Sequence, residues 1–246
     1  MSLQAKYDVW HQKVFESDPK HEDASSPWYG LVREQIGPVR GLSILEVACG
    51  RGGFLRELNR AGAKVTGCDF SGTALQVAAE KLKNEEGGCL RRLVQGDAQK
   101  LPFRDESFDV VVSCETIEHV PDARAATAEM FRVTREGGRL LLTTPNYFNL
   151  MGAYELYARI RHPNRKDDQP YDRRQWFPQI RSFVQRAGWK IVRTDGTVHQ
   201  FPFVPGRSPI QLRAIERNRT VRRTISPFAL HYFVVAHKNA GSTICR

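Results

Sequence analysis

The chain has 246 residues, 41% of them apolar and 26% charged, an ordinary globular composition that excludes a fibrous or disordered chain. No run approaches eighteen apolar residues and "MSLQAKYDVWHQKVF" lacks an apolar signal-peptide core, so no membrane-spanning segment and no export are expected, and a cytoplasmic location is. The net charge of +10 is uneven, −2 over residues 1–150 and +12 over 151–246, so an anionic partner (acidic metabolite, nucleic acid or membrane surface) would meet the second half.

Residues 1–40 read as polar-aromatic helices that form an N-terminal lid, with Tyr7, Trp10, His11, Trp28 and Tyr29. From residue 41, apolar runs alternate with amphipathic ones. "LSILEVA" (42–48) predicts a buried strand and "GGFLRELNRAG" (52–62) a helix stopped at Gly62. "AKVTGCD" (63–69) is a second strand, and "SGTALQVAAEKLKN" (71–84) a helix capped by Ser71. "RRLVQGDA" (91–98) and "FDVVVSC" (108–114) are the next strands. Residues 123–138 predict a helix with Asp122 as its cap and Gly137-Gly138 as its stop, followed by a strand at 138–146. The alternation, with runs apolar on both faces, predicts a Rossmann-like, doubly wound α/β fold with a mostly parallel, seven-stranded sheet over a 41–146 core.

Beyond it, 147–188 is an aromatic and basic insertion with a helix interrupted near Pro178. The 189–246 segment supplies the last strands, at 189–196 and 231–238, around a basic, partly helical insertion at 207–227. Cys49, Cys68, Cys89, Cys114 and Cys245 form no CxxC pair and no zinc pattern; scattered cysteines suit reduced thiols, most of them core residues.

"ILEVACGRGGF" is a strand, a glycine turn and a helix start. Gly50 and Gly52 would let a ligand approach the backbone. Alone, such a turn is common. A dinucleotide would place its pyrophosphate here, yet Glu46 points a negative charge into the loop, which suits a ligand carrying an ammonium group. Asp69 ends the second strand 23 residues later, where a carboxylate can accept both ribose hydroxyls. Asp97 ends the third and can accept from an adenine amino group.

At these residues the chain resembles the class I S-adenosylmethionine-dependent methyltransferases, nearest to the branch of ubiquinone-pathway and related small-molecule enzymes. "LEVACGRG", "GCD", "GDAQKLPFRDESFDVVVS" and "EHVPD" carry the likeness over about residues 41–146. Ala48 departs from it, standing where the family has its first loop glycine. The resemblance implies S-adenosyl-L-methionine as cofactor. Glu46, Ala48, Cys49, Gly50 and Gly52 would hold its methionine portion. Asp69 would take the ribose, Phe70 would lie along the adenine, and Asp97 and Ala98 would read its edge. Cys114 would lie near the methyl-bearing sulfur.

"ETIEH" follows the fourth strand, beside the expected methyl. In a one-turn helix ended by Pro121, Glu115, Glu118 and His119 would share a face. Three readings stay open: a divalent metal site, as in family members with ExxEH; His119, helped by Glu115, as a general base; or a structural turn shaping the cofactor pocket. His162, His199 and His231 could join only through the fold. Tyr7, Trp10, Trp28, Asn146 and Tyr147 are candidate acceptor contacts, with His11, Tyr154, Trp176, His199 and Arg207 in the same appended parts. The expected function is methyl transfer to a small molecule, an anionic one in view of the basic half, at oxygen and by in-line displacement. The alternatives are a nucleic-acid methyltransferase, motivated by "RNRTVRR", and a cofactor-binding protein without catalysis.

Overall fold

In the computed structural model, α1 (Leu3–Ser17) begins where the Ser2 side chain accepts the Ala5 N–H, and α2 (Pro27–Ile36) ends at Gly37, φ 63°. There follow β1 (Ser43–Val47), α3 (Gly53–Arg60), β2 (Lys64–Asp69), α4 (Gly72–Leu82), β3 (Leu90–Gln95), β4 (Phe108–Cys114), α5 (Ala123–Val133) and β5 (Thr134–Pro145). The appended part contains α6 (Leu150–Arg161), α7 (Phe177–Arg186), β6 (Lys190–Thr197), β7 (Gln200–Phe201), β8 (Ile210–Gln211), α8 (Arg213–Arg217), α9 (Arg219–Thr224) and β9 (His231–His237). The structure describes residues 1–18, 25–83, 90–162, 169–201, 210–239 and 241. Cys89, Cys245 and Arg207 lie outside the described residues. None of the described helices is long and apolar enough to cross a membrane.

Seven strands form one sheet in the order β3-β2-β1-β4-β5-β9-β6, and β7 pairs with β8 separately. Neighbours are parallel except at β9, which runs antiparallel to both β5 and β6. Because side chains alternate across the pleat, adjacent residues enter different cores. Leu45, Leu140 and Val234 pack against Met130 and Phe131 of α5 and Ile180 of α7. Ile44, Leu141 and Phe233 pack against Val32 of α2 and Phe54 of α3. Burial on both faces is why these strands lack an apolar–polar alternation. The chain winds outward from β1 one way and from β4 the other, so the loops after these strands diverge and leave a crevice at their carboxyl ends.

Three local expectations need correction. α5 ends at Val133 rather than at Gly137-Gly138, because Thr134 turns extended and its hydroxyl donates to the Met130 carbonyl, 2.7 Å. Gly138 instead sits within β5, where a Cβ would come 2.9 Å from the Asp109 carbonyl of β4. Pro178 lies in the first turn of α7, where its missing N–H has no intrahelical partner to lose, so it starts the helix and does not break it. Residues 115–120 form a turn and no helix, with Glu115 at φ 49°.

Candidate active site

A cavity of about 690 Å³ opens at the carboxyl ends of the central strands, a size that suits a small ligand and its reaction partner. The turns after β1, β2 and β4 form one side, and α1 with the start of α2 forms the other.

One end is built largely by backbone. Asp69 is 5% exposed. Its Oδ2 accepts the Gly50 N–H and its Oδ1 the Ser71 N–H, both at 2.8 Å. Burial pushes this carboxyl up, while the nearby His11 and the backbone donors oppose the shift. Asp97 is tied to Gln99, whose backbone N–H donates to Oδ1 at 2.8 Å. The Phe70 ring stands edge-on to Tyr7 at 6.3 Å. Ala48, Cys49, Gly50, Ala98 and Cys114 complete this lining. Burial raises the Cys68 thiol to about 12, and it raises Cys49 and Cys114 as well, so all three stay protonated. They are free and buried, as expected of small core residues.

The donor set fits an adenosyl ligand. Two carboxylates from adjacent strand ends face the cavity, where hydroxyl and amino donors are welcome and a pyrophosphate would be repelled. Ala48 takes the place of the loop glycine at φ 56°. It occupies little space, but its left-handed backbone costs about 1–2 kcal/mol.

The other end is built by side chains. Leu3, Trp10, Val14 and Trp28 from the N-terminal helices face Glu115, His119 and Val120. His119 Nδ1 lies 2.9 Å from the Tyr171 carbonyl, which must accept its proton, leaving Nε2 as the basic nitrogen. Burial lowers the His119 pKa, only partly offset by that hydrogen bond, so the ring is neutral at pH 7. Tyr7 anchors α1 here by donating to the same carbonyl at 3.1 Å. Glu115 Oε2 meets His231 Nδ1 at 2.7 Å, and the His231 ring lies 4.7 Å from Trp28.

Glu115, Glu118 and His119 do not converge. Glu118 is 1% exposed, and Thr144 donates to its Oε2 at 2.8 Å. Burial, reinforced by the charge of Glu115, pushes its carboxyl well up. Its Oε1 is 3.6 Å from His119 Nε2. Among the described residues no three His, Cys, Asp or Glu side chains are grouped to hold a metal ion. The turn at 115–120 is the reason: it sends Glu115 toward β9 and Glu118 inward to β5.

Several expected contacts lie elsewhere. Gly52 does not line the cavity; a Cβ there would lie 3.0 Å from Ala78 Cβ, so the glycine serves the approach of α4. Glu46 is fully buried and accepts from Tyr29, itself a lining residue, at 3.0 Å. Asn146 is buried, donating to the Pro227 and Ala229 carbonyls and accepting the Phe177 N–H. Tyr147 faces Arg174, whose guanidinium sits 5.5 Å over its ring, and burial raises its phenol to about 12. Tyr154 and Trp176 are exposed outside the cavity. His199 is paired with Glu216 at 2.8 Å. Of the described residues beyond 150 the lining takes only Gln169, so the basic half contributes no described cation to it. Sequence reading missed Arg51, which lines the cavity and donates to the Asp18 carbonyl, and Gln99, which also accepts the Asp122 N–H. Arg51 stood inside the glycine loop motif and Gln99 two residues past Asp97, so spacing alone could have flagged both.

The fold and the site together define a Rossmann-like α/β protein with a ligand-sized cavity at the carboxyl ends of its central strands. Residues 45–142 match the family model described as a methyltransferase domain. The demethylmenaquinone methyltransferase of Lactococcus lactis is 36% identical over 136 residues, 53% of this chain and 54% of that protein. The chain thus spans about half the length of the curated relatives it matches. A solved S-adenosylmethionine-dependent methyltransferase of Thermotoga maritima superposes with a TM-score of 0.67 at 16% identity, over 97% of this chain and all of that one. The [4+2]-cyclase SpnF also shares the fold, with a TM-score of 0.59 at 20% identity over 86% of this chain and 80% of that one. Fold therefore does not fix the reaction, and the site must carry that argument.

Proposed function

We propose that the protein transfers the methyl group of S-adenosylmethionine to a small aromatic acceptor carrying an ionisable hydroxyl, a ring of the quinol kind. The carrying observation is that one cavity has two unlike ends, a carboxylate-and-backbone end and an aromatic one facing a neutral histidine. The name of the Lactococcus relative supports a ring acceptor of this class.

When bound, the cofactor supplies an electrophilic methyl on a sulfonium. Asp69 would hold the ribose hydroxyls and Asp97 the adenine amine, with Phe70 along the base. Ala48, Cys49 and Gly50 would cradle the methionine portion, with Cys114 near the sulfur. Trp10 and Trp28 would hold the acceptor ring, and α1 would exclude water. Alignment for in-line displacement contributes up to about 7–11 kcal/mol in favourable cases. His119 Nε2 would take the hydroxyl proton, worth about 10²–10⁴-fold. Glu115, held by His231, would orient the acceptor. Proton removal enriches oxygen, the atom we assign as nucleophile, and the ring carbons beside it. Incubation with S-adenosylmethionine and a naphthoquinol, followed by NMR of the product, tests this. An O-methyl signal is expected; a C-methyl signal reassigns the atom, and the absence of any methylated quinol removes the acceptor class.

A further inference from the structure

α6 has no role in the cavity and little in the core. Among its described side chains only Ala158 is buried, while Leu156, Tyr157 and Ile160 are 64%, 59% and 72% exposed. A helix of this length is marginal in water without a packed apolar face, and this one turns its apolar residues outward. Just before it, Phe148 meets Trp176 at 6.3 Å and Phe228 at 6.1 Å, and all three rings are exposed. α6 touches β7, β7 pairs with β8 just ahead of α8, α8 packs on α9, and α9 meets the turn that carries Phe228, so these elements follow one another as a chain of neighbours. Arg161, Arg213, Arg217 and Arg219 are exposed on the same three helices.

We propose that this face docks on an anionic lipid bilayer. α6 would lie in the interface with its apolar side chains at the acyl boundary, and the arginines would meet lipid phosphates. Charge complementarity selects this occupant. A half carrying +12 repels a second copy of itself. A polyanion without an apolar layer, such as RNA, would leave Leu156, Tyr157 and Ile160 in water. Docking does not depend on which acceptor is methylated.

Sedimentation of the full chain with vesicles of phosphatidylcholine, alone or mixed equally with phosphatidylglycerol, tests the proposal. Binding is expected to the mixed vesicles only, weakening with salt, with a blue shift of tryptophan emission that Trp176→Phe removes. Joint replacement Leu156→Gln, Tyr157→Gln and Ile160→Gln should weaken binding about a hundredfold, the loss expected from about 1 kcal/mol of interfacial contact per side chain. The same variant should keep the parent's affinity for S-adenosylhomocysteine, which verifies its fold. Failure of the parent to bind mixed vesicles overturns the proposal, as does unchanged binding by the triple variant. Vesicle-independent dimerisation through α6, or binding to RNA with none to vesicles, overturns it too.

Discussion

The two ends of the cavity are made by different means. The carboxylate end comes from consecutive strand-end turns between residues 48 and 98, and its geometry is fixed by backbone, as when Gly50 and Ser71 donate to Asp69. The aromatic end is gathered from residues 3–28, 115–121 and 169, with support from Tyr171 and His231. The first is a property of the sheet and suits a ligand common to many enzymes. The second depends on how appended helices pack, which is where acceptor choice can vary without disturbing the sheet.

Substitutions that strike one end alone sharpen this contrast. His119→Ala should lower kcat by about 10²–10⁴-fold while leaving affinity for S-adenosylhomocysteine unchanged. Equal losses in turnover and affinity would place His119 in the cofactor end. In the parent, kcat should fall as pH drops through a value below 6.5, since burial holds the His119 pKa down and only the neutral ring accepts a proton. Stability should fall over that same window, because the unfolded chain takes up the proton first.

Glu118→Gln probes the buried carboxyl between Thr144 and His119. The parent carboxyl binds its proton more tightly folded than unfolded, so its contribution is complete below the unfolded value near 4.5 and is lost as pH rises. The variant should match the parent at pH 4 and gain on it by up to about 1.4 kcal/mol per pH unit above that, measured by urea unfolding. A variant destabilised at pH 8 would mean that Glu118 is ionised, as a metal ligand would be. Ala48→Gly, at the carboxylate end, should raise stability by about 1 kcal/mol through relief of the left-handed backbone, with kcat unchanged. A loss of stability would show that the methyl group packs more than it strains.

The core was largely legible because its signals are local. Ser71 and Asp122 cap the helices expected of them. The strand ends at Asp69 and Cys114 fall where apolar runs stop. What was illegible is what tertiary packing decides. No spacing rule joins Glu115 to His231, 116 positions apart. Nothing in "ETIEH" announces a turn with Glu115 at positive φ, since Glu is a good helix former. Asn146 looked like a cleft residue because it follows a strand, yet the turn at 226–229 supplies carbonyls that draw it inward. The basic half looked like a guide for an anionic acceptor, whereas its exposed arginines on α6, α8 and α9 do not line the cavity.

A calorimetric titration of S-adenosylhomocysteine into the parent and into Asp69→Ala, with circular dichroism to verify folding, bears most directly on the cofactor assignment. One site per chain is expected in the parent, with affinity about a hundredfold weaker in the variant once two charge-assisted hydrogen bonds are lost. Equal affinities in two folded proteins, or no heat with either, would contradict it.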